Sequence, residues 1–304
     1  MEIGNFIKYL EDVKRYSPNT LLAYKKDILQ FVDYCKTVES VDEWKSVTPK
    51  MVRRWVVVLM TGATAISPKS VRRKLSALSA VFRYLLSQGL VDDNPVDTVA
   101  LPKVPQKLPV FVLPEQLDSL LDGEEFDDEN FSEIRDRAIL LTAYITGMRR
   151  SELVALKVAD IDFPSMFIKV TGKGDKQRVV PMTNELFLYI KKYMECRSQV
   201  VLGNHDYLFV TDKGTPVYEK FVYRLVVRYL ASVTTQKKRS PHVLRHSFAT
   251  ALLNNGACIE AIRKLLGHTN LSATQVYTHT SMEGLKRIYN RAHPRASDGD
   301  EVEP

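Results

Sequence analysis

The 304-residue sequence contains few cysteines and no long hydrophobic run. Its cysteines, Cys35, Cys196 and Cys258, are odd in number and far apart, so they fit neither a disulfide framework nor a CxxC zinc site. No run approaches the ~20 apolar residues that a membrane span needs. Lys8 and Glu11 interrupt the apolar residues near the start, so no signal peptide is predicted. These absences predict a cytoplasmic protein with no membrane partner.

Over the whole chain, basic side chains are only slightly more numerous than acidic ones. There are 43 Lys and Arg against 36 Asp and Glu, which gives a net charge of +7. Residues 1–110 hold 17 basic and 11 acidic side chains, whereas residues 111–304 hold 26 and 25. This basic first third favours a polyanion partner, because phosphate contacts dominate nucleic-acid affinity. A solubilising surface charge is the alternative.

The length predicts two domains, since a domain averages roughly 100–200 residues. Four prolines and two lysines occur in LPKVPQKLPVFVLP at 101–114, which suits neither a helix nor a central strand and predicts an extended linker. We therefore predict a first domain at 1–100 and a second at 115–295. Residues 296–304 are predicted to be an acidic disordered tail.

Helical patterns dominate the first domain. A Ser-Pro or Thr-Pro pair begins at residues 17, 48 and 67, and each pair is typical of a helix start. The third predicted helix has apolar residues at steps of three and four from Val71 to Leu85. It also carries Lys69, Arg72 and Arg73 on one face, which is either a DNA-contacting patch or a solvated helix surface.

The second domain is predicted to be mainly α with a small β-sheet, an α+β fold. A nearly all-apolar helix at 138–145 precedes strands at 166–170 and 177–181, which would form a hairpin with a glycine-rich, basic tip. Further helices are predicted at 115–121, 183–196, 219–232, 240–254, 259–266, 272–279 and 282–291.

Two helix starts in this domain could hold an anion. Ser240 and a following proline open a helix whose first turn carries His242 and Arg245 on one face. His242 and His246, at i and i+4, are alternatively a metal pair, although no third ligand falls at a recognised spacing. At the other start, a glycine ends the apolar helix, Arg149 follows as a phosphate-clamp candidate, and Ser151 is predicted to cap the next helix.

The hairpin tip presents three basic side chains, Lys173, Lys176 and Arg178. Glycines at 172 and 174 permit close backbone approach to a ligand. The GxxxxGK[ST] pattern is absent and the loop joins two strands, so a nucleotide-binding P-loop is not predicted.

The order of five motifs resembles the tyrosine recombinases, most closely the bacterial Xer recombinases. The motifs are GMRRSEL at 147–153, GKGDK at 172–176, HVLRH at 242–246, LGH at 266–268 and a tyrosine at 277. The likeness extends over nearly the whole chain, including YSPNTLLAYKKDI, the proline linker and YNRAHPRA. It implies a SAM-like helical core-binding domain at the N-terminus and a catalytic domain, which together close round DNA as a C-shaped clamp.

The resemblance also implies the site. The catalytic residues would be Arg149, Lys173, His242, Arg245, His268 and the nucleophile Tyr277, with Glu152 in support. Arg150 stands where Xer proteins usually have an apolar residue, so the relative role of the two adjacent arginines is open. DNA contacts are expected from Lys69, Arg72, Arg73, Lys176 and Arg178.

The chemistry that the resemblance implies needs no metal, cofactor or ATP. Fixed positive charge stabilises the non-bridging phosphate oxygens in the transition state. A tyrosine hydroxyl has an ordinary pKa of ~10 and must be activated, for which His242 is the best base. Lys173 would protonate the 5′-oxygen that leaves, and His268 would hydrogen-bond the phosphate. A 3′-phosphotyrosyl intermediate keeps the bond energy for religation.

The implied assembly is a homo- or hetero-tetramer on two double-stranded DNA sites. A C-terminal helix at 282–291 would dock on a neighbouring protomer through Leu285, Ile288 and Tyr289. A second Xer recombinase and an FtsK-type translocase are possible further partners. Chromosome dimer resolution is the leading role, and an integrase or DNA invertase of a mobile or phase-variable element is the alternative. An architectural DNA-binding protein with a degenerate site is disfavoured by the intact residue set.

Overall fold

The chain divides into two compact units, Met1–Lys107 and Leu108–Pro304, each with its own apolar core. This computed structural model describes residues 1–61, 64–105, 110–123, 126–172, 174–201, 203, 205–267 and 279–296. Within these ranges, no helix combines the length and the apolar character needed to cross a membrane. The predicted helix at 272–279 and the predicted tail at 296–304 lie almost wholly outside the described residues.

The described part of unit 1 is helical. Its α-helices are α1 (Gly4–Asp12), α2 (Pro18–Val38), α3 (Pro49–Thr61) and α4 (Pro68–Ser87). The three predicted starts are confirmed, because α2, α3 and α4 each begin at the predicted proline. Helix α1 was not predicted, since no side chain caps its start, and it is held by Phe6 and Leu10 buried in the core.

One buried carboxylate joins α2 to α4. Asp27 is only 2% exposed. Lys74 donates to it at 2.7 Å, and Arg73 donates through both terminal nitrogens. Lys74 also donates to Gln30 at 2.6 Å. A charge buried in this way needs paired and hydrogen-bonded partners, and both cations come from one turn of α4.

Unit 2 is α+β in its described part. Its helices are α5 (Pro114–Asp122), α6 (Phe131–Thr146), α7 (Arg150–Ala155), α8 (Asn184–Val200), α9 (Glu219–Val233), α10 (Pro241–Asn254), α11 (Ile259–Leu266) and α12 (His279–Ala292). The strands are β1 (Ile161–Asp162), β2 (Phe167–Thr171) and β3 (Gln177–Pro181). They form an antiparallel sheet in the order β1-β2-β3, with Lys169 opposite Val179.

The predicted hairpin is present, with a shift of one residue in its first strand. Met166 has φ of 60°, which a strand cannot accommodate, so β2 begins at Phe167. The third strand, β1, was not predicted because two residues carry no periodicity.

Helix α6 is the central helix of unit 2, and its last eleven residues at 136–146, except one, are buried. It begins seven residues earlier than the sequence pattern predicts, because its first turns contain charged side chains. Those charges are paired: Asp136 accepts from Arg135 at 2.7 Å and from Arg228 at 2.5 Å, and Arg135 donates to Asp212 at 2.6 Å. Charged residues that are paired in this way can lie in a helix that is buried.

The apolar stripe of α12 packs into the core of its own unit. Leu285 and Tyr289 are buried, and the Tyr289 hydroxyl donates to the Ile145 carbonyl at 2.8 Å. In the single chain the core of unit 2 covers these two side chains, and their docking on a neighbouring protomer stays a prediction. Ile288 is exposed, as the prediction requires of a docking residue.

The residues after α12 are anchored by charge. Arg295 donates to Asp118 at 2.8 Å, to Asp122 at 2.5 Å and to Glu185 at 2.5 Å. Three carboxylates from α5 and α8 thus bind one guanidinium, and they hold the last described residues against these two helices.

Candidate active site

The corner between α6 and α7 positions Arg149. Gly147 ends α6 with φ of 58°, and a Cβ there would lie 2.4 Å from the Phe248 ring, so glycine is required. Arg149 itself is the N-cap of α7, and Glu152 accepts a hydrogen bond from its backbone N–H at 2.8 Å. Ser151 was predicted to be the cap; it lies inside the first turn instead. The acidic residue at N3 satisfies the open helix end that a serine at N-cap would otherwise serve.

The Glu152 carboxylate gathers two guanidinium groups. Arg149 Nη1 donates to Oε1 at 2.7 Å, and Arg178 donates to both oxygens at 3.0 and 2.8 Å. Burial would raise the pKa of Glu152, but the hydrogen bonds and charge of Arg178, together with Arg149, lower it below its ordinary value. Glu152 is therefore ionised at neutral pH and holds the Arg149 guanidinium, while its supporting role in catalysis stays a prediction.

Arg149 is only partly engaged by the protein. Its side chain is 37% exposed, and one terminal nitrogen contacts Glu152. Within the described residues, its other N–H groups make no hydrogen bond. A guanidinium that is fixed at one edge and open at another can bind a phosphate oxygen.

Arg178 lies in the interior, which overturns the prediction that it contacts DNA. It is 5% exposed, and its Nε donates to the Leu265 carbonyl at 2.7 Å. The period of two along β3 places it on the same face as buried Val180, which is the signal that could have revealed this position. Lys176 is exposed, in agreement with its predicted availability to a ligand.

Arg245 joins the ends of two helices. Its guanidinium donates to the Gly147 carbonyl at 2.7 Å and to the Leu266 carbonyl at 2.6 Å. Burial, together with the charges of Arg149 and Arg178, lowers the pKa of Arg245 to about 10. It is thus still cationic at neutral pH, and burial is the main cause of the shift, with the charges of Arg149 and Arg178 adding to it.

His242 is exposed in the first turn of α10. Loss of water around the ring and the nearby cations Arg150, Arg245 and Lys238 hold the pKa of His242 below its ordinary value of 6.5. The imidazole is therefore neutral at neutral pH and can accept a proton. Within the described residues, no group of three or more His, Cys, Asp and Glu side chains could hold a metal ion.

Arg150 points to a different partner from its neighbour. It forms an ion pair with Glu219 at the start of α9, whereas Arg149 shares Glu152 with Arg178. This difference favours Arg149 as the arginine of the site, although Arg150 contributes charge near His242.

The remaining predicted residues fall into two groups. Lys173, His268 and Tyr277 lie outside the described residues. Lys69 and Arg72 are exposed on α4 of unit 1, while Arg73 is paired with Asp27. The structure therefore brings Arg149, Glu152, Arg245 and His242 together.

Comparison with known proteins identifies the family on both units. Residues 111–283 match the phage integrase family, and residues 3–89 match the phage integrase N-terminal SAM-like domain. The tyrosine recombinase XerC of Chlorobaculum parvum is 36% identical over 314 residues, covering 96% of this chain and 94% of its own length. XerC of Halalkalibacterium halodurans is also 36% identical and covers 97% of this chain and all of its own length (100%).

Solved structures share the fold. XerH site-specific recombinase bound to palindromic difH substrate, in a post-cleavage complex, has a TM-score of 0.70 at 24% identity and covers 94% of this chain and 82% of its own. The Tn1549 transposon integrase in complex with transposon right end DNA has a TM-score of 0.72 at 21% identity, with 94% and 99% covered. With both domain matches and the XerC relatives spanning nearly its whole length, the chain belongs to the phage integrase family and is a tyrosine recombinase of the Xer group.

Proposed function

We propose that this recombinase cleaves and rejoins double-stranded DNA at a specific site through a 3′-phosphotyrosyl intermediate, and that it resolves chromosome dimers. The observation that carries the proposal is the convergence of Arg149 and Arg245 around one corner. Arg245 binds the carbonyl of Gly147, two residues before Arg149, and the charge of Arg149 lowers the pKa of Arg245. Two fixed guanidinium groups so close together favour a phosphodiester with developing negative charge.

The residues near this corner have complementary proposed roles. Arg149 and Arg245 stabilise the non-bridging oxygens, and Glu152 holds Arg149 in place. His242, neutral at pH 7 because its pKa is lowered, accepts the proton of the attacking hydroxyl.

Three further residues are proposed from their match to the family motifs. Tyr277 is the nucleophile, Lys173 is the acid that protonates the 5′-oxygen when it leaves, and His268 hydrogen-bonds the scissile phosphate. Gly267 ends α11 immediately before His268, and Arg178 and Arg245 both bind carbonyls of the last turn of α11.

DNA binding is proposed for both parts of the chain. Residues 1–100 form the core-binding domain, with Lys69 and Arg72 exposed for phosphate contact, and residues 115–295 form the catalytic domain, to which Lys176 adds a contact. The XerH and Tn1549 integrase structures were solved with DNA, which supports this proposal. Assembly is proposed to be a tetramer on two sites, with a second recombinase and an FtsK-type translocase as partners.

The nucleophile is tested with a nicked suicide duplex that carries the chain's own site, found by mapping its binding across the host genome. The wild type should form a covalent protein–DNA adduct without added metal, and Tyr277→Phe should form none. Tyr223→Phe, which removes an exposed hydroxyl on α9, is the matched control and should form the adduct normally. An adduct that persists in Tyr277→Phe would contradict the nucleophile assignment.

The same genome map tests the biological role. A single binding site near the replication terminus is expected for chromosome dimer resolution. Sites that flank a mobile element or an invertible promoter would replace this role with that of an integrase or invertase.

A further inference from the structure

We infer that Arg178 is a positioning residue of the cleavage site. It holds the start of α7, where Arg149 lies, in a fixed position relative to the end of α11. The inference rests on the proposed function, because it assigns Arg178 to the same reaction. Arg178 is only 5% exposed, and it acts through the residues that it binds.

The geometry of the Arg178 guanidinium is that of a bridge. One edge donates to both oxygens of Glu152, at 3.0 and 2.8 Å. The remaining nitrogen, Nε, donates to the Leu265 carbonyl at 2.7 Å. Every nitrogen of the group is thus engaged, and its partners come from α7 and from the last turn of α11.

Each end of this bridge leads to a residue of the site. Glu152 contacts both the backbone N–H and the guanidinium of Arg149. Leu265 lies three residues before His268, where the segment with Tyr277 begins. Arg178 therefore links the arginine that binds phosphate to the start of the segment that supplies the nucleophile.

Close packing at Gly267 supports this link. Gly267 has φ of 63°, and a Cβ on it would lie 3.1 Å from Arg178 Cδ and 3.2 Å from Nη1. The backbone at the end of α11 thus rests directly on the Arg178 side chain. A larger residue at 267 would press on the guanidinium and, through it, on Glu152.

Arg178 differs from Arg245, which also binds the end of α11. Among the described residues, Arg245 donates to two backbone carbonyls and to no carboxylate. Arg178 shares the one carboxylate that orients Arg149. Lysine cannot replace it, because a single ammonium cannot span the Glu152 carboxylate and the Leu265 carbonyl with the planar fork of a guanidinium.

The test measures single-turnover cleavage of the suicide duplex at saturating protein, alongside DNA affinity and thermal stability. Arg178→Lys should slow cleavage about 100-fold, because small misplacements of reacting groups are that costly. Its DNA affinity should change less than about twofold, since no phosphate contact is removed.

Arg197→Lys is the matched control. Arg197 is also buried and donates to backbone carbonyls, those of Tyr207 and Leu208 at 2.7 and 2.9 Å, but it lies on α8 outside the site. It should lower stability as Arg178→Lys does and leave cleavage at the wild-type rate. An equal loss of cleavage in both variants would reduce Arg178 to a purely structural role and overturn the inference.

A double-mutant cycle with Arg149→Ala tests the route of the effect. Residues that act as one unit are non-additive, so Arg178→Lys should slow the Arg149→Ala enzyme by less than about threefold. A full additive loss, or wild-type cleavage by Arg178→Lys, would overturn the inference. If Arg178→Lys does not fold, Gly267→Ala applies the same disturbance from the α11 side and should also slow cleavage.

Failure of the proposed function would be visible separately. In that case Tyr277→Phe or Arg149→Ala would cleave like the wild type, whatever the result for Arg178→Lys.

Discussion

Each unit of this recombinase buries a carboxylate between two cations, Asp27 in unit 1 and Glu152 in unit 2, but the two arrangements hold their arginines differently. In unit 1, Asp27 takes both terminal nitrogens of Arg73 and the ammonium of Lys74. In unit 2, Glu152 takes two nitrogens of Arg178 but only one terminal nitrogen of Arg149. Arg73 thus joins α4 to α2 through both terminal nitrogens while its side chain stays 49% exposed, whereas Arg149 contacts Glu152 through one terminal nitrogen.

This difference shows what makes a basic residue functional in this protein. Arg73 and Arg178 both lie in basic sequence contexts that predict DNA contact, and each pairs with a carboxylate; Arg178 is buried by its pairing, whereas the side chain of Arg73 stays 49% exposed. Availability depends on whether the fold supplies an acidic partner and on how many donors that partner occupies. Clusters of Lys and Arg in the sequence contain no information on either point.

The largest expected effect is the loss of stability when the buried carboxylate of unit 1 is removed. Asp27→Ala leaves Lys74 buried without its carboxylate, which should lower the free energy of unfolding by about 3–5 kcal/mol. Urea denaturation of the full chain measures it. Asp33→Ala, on the exposed face of the same helix, is the control and should change stability by less than about 0.5 kcal/mol. Similar losses in the two variants would show that the buried pair is not what stabilises unit 1.

The second test removes the open guanidinium of unit 2. Arg149→Ala should slow cleavage of the suicide duplex by about 10²–10³-fold, the usual cost of losing one donor to a developing charge. Arg150→Ala removes the adjacent charge that is paired with Glu219 and should slow cleavage far less. Equal losses would mean that sharing Glu152 does not distinguish the two arginines.

A smaller effect is expected at the exposed face of α4. Lys69→Ala and Arg72→Ala should each reduce the slope of log affinity against log salt by about 0.9, the value for one lost phosphate contact. Arg73→Ala should reduce it less, because its guanidinium is bound to Asp27. Binding titrations between low and physiological salt measure the slopes. If Arg73→Ala reduced the slope more than Lys69→Ala and Arg72→Ala do, pairing with Asp27 would not limit the contact of Arg73 with phosphate.

The smallest effect concerns proton transfer by His242. Its pKa lies below 6.5, so the neutral base persists on acidification and cleavage should decline only below pH 6.5. Arg150→Ala removes one positive charge that lowers this pKa, so the acid limb should move to higher pH by a few tenths of a unit. Cleavage rates between pH 5 and 8 would reveal the shift. A limb that moves to lower pH would contradict the electrostatic argument.

Much of the helical framework follows from local patterns. The prolines at the starts of α2, α3 and α4, and the strands on either side of residues 172–176, were predicted because capping and periodicity are local properties. The first turns of α6 were missed, since their charged residues are compatible with burial only after Asp212 and Arg228 arrive from elsewhere in the chain. Helix α1 was missed because no side chain caps its start, although Phe6 and Leu10 recur at helical spacing.

The sequence by itself determined the family and the glycine at 147 that turns the chain before Arg149. Motif order and the requirement for φ above zero are both written in local residue types. Only the tertiary structure decided which carboxylate each arginine pairs with, that Arg178 is buried, that Ser151 does not cap α7, and that Leu285 and Tyr289 fill their own core. The reason is that pairing and burial depend on side chains that meet from distant positions, and their energies are set by those meetings rather than by neighbours in the chain.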